Sequence, residues 1–202
     1  MRYALAPHPI FTTIQGEGHL AGTTQVFLRL AGCSVGCPQC DTDYRVDSRA
    51  EVGEIVDRIA AEFSAMGSRV EPWVWMTGGE PADRDLEPLV SAFHRKNWKV
   101  AVATSGVKPM NVPVELLSVS PHSNSLGLQC RYGNECKLIP GLNGFDALQF
   151  IDEWDNGSCR FWFKYLQPLD GDPDSLELCK SIWRVRPDWG ISIQQHKIIG
   201  LP

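Results

Sequence analysis

Cysteine is the residue type whose placement in this sequence says most about chemistry. Three of the seven cysteines fall within Cys33-Ser-Val-Gly-Cys37-Pro-Gln-Cys40, whereas Cys130, Cys136, Cys159 and Cys179 are scattered through later segments. Random placement gives roughly 0.008 expected matches to a C-x3-C-x2-C pattern in a chain of this length, so the group reads as a site. Three thiolates on a short loop can each take one iron of a four-iron cube, which leaves one iron without a protein ligand. Structural zinc is the alternative, and its fourth donor would have to come from Asp41, Asp43 or one of the five histidines. The later cysteines read differently: Cys136 in ECKLI and Cys159 before FWFKYL are placed as small buried hydrophobes. A second motif, Gly78-Gly79-Glu80-Pro81, lets backbone approach a ligand closely, and Glu80 could either order the turn or meet a cation.

Both motifs need strands to present them. The short β-branched and aromatic run Gln25 to Ala31 reads as a buried strand that leads straight into the cysteine loop. Ser48 and Glu51 have capping-box spacing, and Val52, Ile55, Val56, Ile59, Ala60 and Phe63 recur at helical spacing with Gly67 beyond. Trp73 to Thr77 is a second strand, ending in the Gly-Gly-Glu-Pro turn, and Leu86, Leu89, Val90 and Phe93 mark the inward face of a second helix. Further strands are expected at Trp98 to Thr104, Glu115 to Ser120, Glu135 to Ile139, Cys159 to Gln167 and Gly190 to Gln195, and helices at Gly144 to Glu153 and Pro173 to Arg186. Trp73, Trp75, Trp98 and Trp162 lie in strand-like segments and read as core.

Strands alternating with helices imply parallel units with right-handed crossovers and a sheet buried on both faces. A complete eight-unit barrel typically needs about 250 residues, and the chain has 202. The expected fold is therefore α/β, an open, partial TIM-type barrel of about six βα units formed by residues 1–202 as one domain, with its chemistry on the loops at the C-terminal edge of the strands.

Composition narrows the function classes. Nineteen Lys and Arg against 24 Asp and Glu give a net charge of −5, too little positive surface to favour a nucleic-acid partner. The N-terminal MRYALAPHPIF lacks a continuous apolar export segment, and no apolar run approaches the ~18 residues of a membrane span. A cytoplasmic, reducing location is expected, in which clustered cysteines serve metal or redox chemistry rather than disulfides.

The cysteine loop and the Gly-Gly-Glu-Pro turn together resemble the S-adenosylmethionine (SAM) site of the radical SAM superfamily. There the open iron of a [4Fe-4S] cluster binds the amino and carboxylate groups of the cofactor's methionine, and an electron from the cluster cleaves the sulfonium to a radical. Other residues narrow the match: Phe11-Thr-Thr-Ile-Gln-Gly-Glu-Gly18, Gly22, Phe27, Arg29, Ala31-Gly32-Cys33, Cys40-Asp41-Thr42-Asp43, Thr77 to Pro81, Ser120-Pro121, Gln167-Pro168-Leu169-Asp170 and Gln195-His196-Lys197 to Pro202. With these the chain resembles the 7-carboxy-7-deazaguanine synthase family, a set of lyases of queuosine-type 7-deazapurine biosynthesis. Its members convert 6-carboxy-5,6,7,8-tetrahydropterin to 7-carboxy-7-deazaguanine by a radical ring contraction with loss of ammonia.

The resemblance implies roles residue by residue. Cys33, Cys37 and Cys40 match the cluster ligands and Thr42 a Mg²⁺ ligand, an oxygen donor of the kind that ion prefers. Ile14, Gln15, Gly16, Glu17, Arg29, Thr77 and the terminal Pro202 match substrate contacts, with Arg29 suited to the substrate carboxylate unless it forms a structural ion pair. Gln39, Cys40, Asp41, Gly79, Ser120, Pro121, His122, Gln167, Pro168, Leu169 and Asp170 match SAM contacts. His196 is either part of the tail that closes the site or a packing histidine. His122 stands where many relatives carry lysine, and the chain is short for the family. A homodimer and an external electron donor such as flavodoxin are implied as well. Two rival readings are another radical SAM enzyme, such as a glycyl-radical activase, and a non-catalytic metal-binding module. The activase leaves the Gln-Gly-Glu-Gly segment, Cys-Asp-Thr and the tail unexplained.

Overall fold

The structure, a computed structural model, describes residues 1–38, 40–67, 69–122 and 127–202. Among the described residues nine strands form, β1 (Arg2–Ile14), β2 (Thr24–Leu30), β3 (Ser48–Glu51), β4 (Trp73–Gly78), β5 (Lys99–Thr104), β6 (Leu116–Val119), β7 (Tyr132–Leu138), β8 (Arg160–Leu166) and β9 (Gly190–Ile191). They form one sheet in the order β3-β1-β2-β4-β5-β6-β7-β8-β9. From β2 to β9 every neighbouring pair is parallel, and β1 and β3 are added antiparallel at one edge. Among the described residues β3 and β9 do not pair, so the sheet stays open. It is nonetheless curled: the turn after β1 reaches β7, where His19 N donates to Glu135 Oε2 at 2.8 Å, and the segment after β9, where Gly18 N donates to Ser192 Oγ at 2.9 Å.

Alternation along each strand sorts side chains to the two faces. Val26, Leu28 and Leu30 of β2, Val74 and Met76 of β4, and Val100 and Val102 of β5 enter the core under α1 (Val52–Met66) and α2 (Glu87–Arg95). Cys136, Leu138 and Leu166 enter a second core with α3 (Ala147–Glu153) and α4 (Pro173–Val185). Each fully buried aliphatic chain contributes about 1.5–3 kcal/mol. The intervening residues, among them Phe27, Arg29, Trp75, Thr77, Ala103 and Lys137, line the cavity enclosed by the curl. The connections from β5 to β6 and from β6 to β7 contain no α-helix among the described residues, which is where the chain departs from strict strand and helix alternation.

Four features change or add to the expected elements. The run Arg2–Ile14 is a strand despite Pro7 and Pro9, because the register shifts between Leu5 and Ile10 and His8 takes φ +47°, a bulge that absorbs two residues unable to donate to a ladder. The capping box of α1 lies three residues later than its spacing suggested, since Ser48 to Glu51 are spent on β3: Glu54 Oε2 accepts from Glu51 N at 2.7 Å. Trp162 is 82% exposed, not core, while Trp75 and Trp98 are buried. The last strand is shorter than expected, Gly190–Ile191, because the chain turns into α5 (Gln195–Ile198). No helix among the described residues is long and apolar enough to cross a membrane.

Candidate active site

The two glycine- and cysteine-bearing loops are fastened to each other by backbone. Gly79 N donates to Leu30 O at 2.8 Å and Glu80 N to Gly32 O at 3.2 Å, so the turn after β4 lies directly against the exit of β2. Arg84 adds a clamp, donating through Nη2 to Ala31 O and through Nη1 to Glu80 O at 3.0 Å. Ser34 of the cysteine loop donates from N and Oγ to the Asp83 carboxylate at 2.7 and 2.6 Å, and Gly32 N closes the loop's other end on Tyr44 O at 2.7 Å. A Cβ on Gly79 would fall inside contact distance of Gly32 O, which is why this position tolerates no side chain. Gly79→Ala is accordingly expected to push the two loops apart and abolish binding of the SAM that the sequence resemblance implies here, while leaving both helix-side cores intact. Calorimetric titration with SAM checks this, and wild-type affinity would contradict it.

Cys33, Cys37 and Cys40 all line one cavity of about 810 Å³. Burial pushes the Cys37 thiol up, and the neighbouring Cys40 and Cys33 push it further, since thiolates resist ionising together without a cation between them. Iron would reverse that, because it takes deprotonated thiolates. Among the described residues no three His, Cys, Asp or Glu side chains are gathered closely enough to hold a single metal ion. Three thiols on one loop lining one cavity are the donor set that a cube with one iron per thiolate takes. The residues present therefore fit the cluster. His122 sits beside this loop, its Nδ1 2.9 Å from Cys37 Sγ, and burial lowers its pKa against the opposing pull of Glu80.

The other half of the cavity is built from the exit of β1 and the end of the chain. Gln15 is buried and its Oε1 accepts from Glu17 N at 3.0 Å, which shapes the turn, while Gly16 O accepts from Gln195 N at 2.9 Å. His196 packs where a Gly16 side chain would stand, and its buried Nδ1 has no hydrogen-bond partner among the described residues. Glu17 pairs with Lys137 of β7 and accepts from Gln194 Nε2 at 2.6 Å. Burial alone would raise the Glu17 carboxyl, but Lys137 and these hydrogen bonds bring it down to about 2. Arg29 lies over the Phe11 ring, 4.5 Å from its centroid, and among the described residues no carboxylate pairs with it. Burial lowers its pKa while the Asp41 charge pushes it up. Lys197 of α5 joins Asp41 at 2.5 Å to Asp170 at 3.4 Å, tying the tail to the cysteine loop and to the loop after β8.

Of the residues expected to form the site, Ile14, Gln15, Gly16, Glu17, Arg29, Cys33, Cys37, Cys40, Asp41, Thr42, Thr77, Gly79, Ser120, His122, Gln167, Pro168, Leu169, Asp170 and Pro202 all line this cavity. Pro121 is buried beside it and does not line it. Gln39 lies outside the described residues.

No family model matches the sequence. Curated relatives do match: the 7-carboxy-7-deazaguanine synthases of Bradyrhizobium diazoefficiens and Burkholderia multivorans are each 32% identical to it, with the whole of both chains covered in each case. The chain belongs to the 7-carboxy-7-deazaguanine synthase family. The crystal structure of QueE from Escherichia coli superposes with a TM-score of 0.70 at 25% identity, covering 97% of this chain and 95% of that one. The relationship thus spans the sheet as well as the motifs. Radical SAM chemistry, with its [4Fe-4S] cluster and SAM, comes with the family.

Within this 7-carboxy-7-deazaguanine synthase family member, sequence reasoning passed over Lys137, Thr104, Ser105 and Gln194, all of which line the cavity. A lysine inside the strand-like run Glu135 to Ile139 is the one available signal, because a charged residue in a two-sided buried strand needs a partner. Glu80 proves to order its turn: Oε1 accepts from Thr104 Oγ1 and Ala82 N, and Oε2 from Ser105 N and Oγ.

Proposed function

We propose that this chain is a 7-carboxy-7-deazaguanine synthase, converting 6-carboxy-5,6,7,8-tetrahydropterin to 7-carboxy-7-deazaguanine with loss of ammonia. The observation that carries the reading is that the Gln15 to Glu17 turn, Arg29 and the three cysteines share one cavity with the Pro202 tail from the other end of the chain. Bound SAM and the reduced cluster would supply the one-electron chemistry. The chain's own residues position and enclose. The Arg29 guanidinium, over the Phe11 ring and in no ion pair among the described residues, can take the substrate carboxylate. Glu17, held ionised, accepts from ring N–H donors, and Thr77 on the neighbouring strand is in register with Arg29. The tail, tethered by Lys197 and by Gln195 N on Gly16 O, closes the cavity and limits water.

Thr42 as a Mg²⁺ ligand is part of this reading: it lines the cavity beside Asp41, its Oγ1 3.4 Å from Asp41 Oδ1, where an oxygen-seeking ion could also take substrate oxygens. The reading extends to a homodimer, an external one-electron donor such as flavodoxin and a cytoplasmic location, the last supported by seven free thiols. The test is an anaerobic assay of reconstituted protein with SAM, reductant, Mg²⁺ and 6-carboxytetrahydropterin. Mass spectrometry is expected to find carboxydeazaguanine. Release of 5′-deoxyadenosine without that product would keep the radical class and reject the substrate. Neither, from protein shown to hold its cluster, would favour a non-catalytic metal module.

A further inference from the structure

β7 presents two ionisable side chains to the interior of the curl, Glu135 and Lys137, which are 0% and 4% exposed. Lys137 reaches the cavity wall, and its ammonium meets Glu17 Oε2. The other Glu17 oxygen, Oε1, accepts from Gln194 Nε2 at 2.6 Å. The carboxylate therefore has a protein donor on each oxygen from opposite sides of the site, one from the sheet and one from the tail. Each oxygen keeps a second lone pair. A buried lysine is costly unless paired, so its presence at the floor of a ligand cavity calls for a role.

We propose that Lys137 is a positioning residue of the substrate site, clamping the Glu17 carboxylate as a fixed acceptor for the donor-rich edge of a pterin. The proposal rests on the functional reading above. Lys137 acts by place and charge, not by moving protons. Burial lowers its pKa, but Glu17 and Glu135 raise it beyond its ordinary value, while Glu17 is held at about 2. Neither partner exchanges a proton near neutral pH. The charged and titratable groups felt by this pair are Glu135 on the same strand, His196 and Asp41. With the lysine removed, Glu17 is left buried beside Glu135 and Asp41, so its carboxyl titrates upward and its acceptor form is lost as pH falls.

The test is steady-state kinetics of the reconstituted holoenzyme, from mildly acidic to mildly alkaline pH, for the wild type, Lys137→Met and Lys137→Arg. The wild-type KM for 6-carboxytetrahydropterin is expected to stay flat across that range. Lys137→Met should raise KM by about tenfold or more, the loss of one charge-held acceptor, with kcat changed less and the rise steepest on the acid side. Lys137→Arg should recover much of the affinity. A folded Lys137→Met with wild-type KM at every pH overturns the proposal. If that variant does not fold, the Glu17→Gln, Lys137→Met pair removes both charges of the ion pair together, and is expected to show a raised KM without the steep rise on the acid side. Wild-type KM in that double variant likewise overturns it. A wild type that forms no carboxydeazaguanine overturns the functional reading, and this proposal with it.

Discussion

Cys37→Ala is expected to give a folded protein that holds no [4Fe-4S] cluster and forms no carboxydeazaguanine. The cysteine loop is held by bonds that do not involve this sulfur: Gly32 N to Tyr44 O, Ser34 to Asp83, and Glu80 N to Gly32 O. Cys37 is half-buried at the cavity wall, and its side chain meets His122 there. Its removal should therefore shift the thermal midpoint by no more than about a degree or two, since it leaves both cores untouched. Loss of the third thiolate is another matter, because a cube held by two sulfurs exposes a second iron and is readily lost. Iron and sulfide content with visible absorbance after anaerobic reconstitution reads the first effect, and product formation the second. Cys179→Ala is the matched control. That thiol is 0% exposed in α4, and burial alone pushes its pKa to about 12, so it behaves as a hydrophobe. Its loss should cost about 1 kcal/mol and leave the cluster in place. A Cys37→Ala protein that kept a full cluster and its activity would remove the cysteine loop from the chemistry altogether.

What the sequence could and could not reveal follows from the range of the interactions involved. Strand periodicity and motif spacing are local. They placed the cysteine loop after β2 and the Gly-Gly-Glu-Pro turn after β4, and parallel pairing of β2 with β4, Arg29 opposite Thr77, then makes those loops neighbours. Pro7 and Pro9 argue against a ladder over Arg2–Ile14, and only the bulge between Leu5 and Ile10 in its pairing with β2 reconciles them with a strand. The capping box of α1 lies later than its spacing suggests for a similar reason, since β3 depends on an antiparallel partner some fifty residues upstream. Lys137 illustrates the non-local case. Its partner Glu17 lies 120 residues away and its second neighbour Glu135 on its own strand, so its role depends on how far the sheet curls, which no window of sequence reports.

Glu80→Ala is expected to destabilise the protein by about 3 kcal/mol or more and to abolish SAM binding, although Glu80 is not among the residues lining the cysteine loop itself. At 3% exposure its carboxylate accepts from Ala82 N at 2.9 Å, Thr104 Oγ1 at 2.6 Å, Ser105 N at 2.9 Å and Ser105 Oγ at 2.5 Å. Four donors from two segments saturate both oxygens, leaving none for a cation, which decides between the two roles its sequence allowed. Truncation strands two backbone N–H groups and two hydroxyls, each costing about 1–3 kcal/mol when buried without a partner, less whatever water recovers. Glu80→Gln keeps the shape but turns two donors against its own amide N–H, so it should fall between the wild type and the alanine variant. Because Glu80 N and O also meet Gly32 O and Arg84 Nη1, the displaced turn carries Gly79 and the clamp on the cysteine loop with it. Urea unfolding measures the stability loss, and SAM titration at a denaturant-free temperature where the variant is folded measures the displacement. A folded Glu80→Ala with wild-type SAM affinity would mean that the Gly-Gly turn is held in place by the Leu30 and Gly32 carbonyls alone.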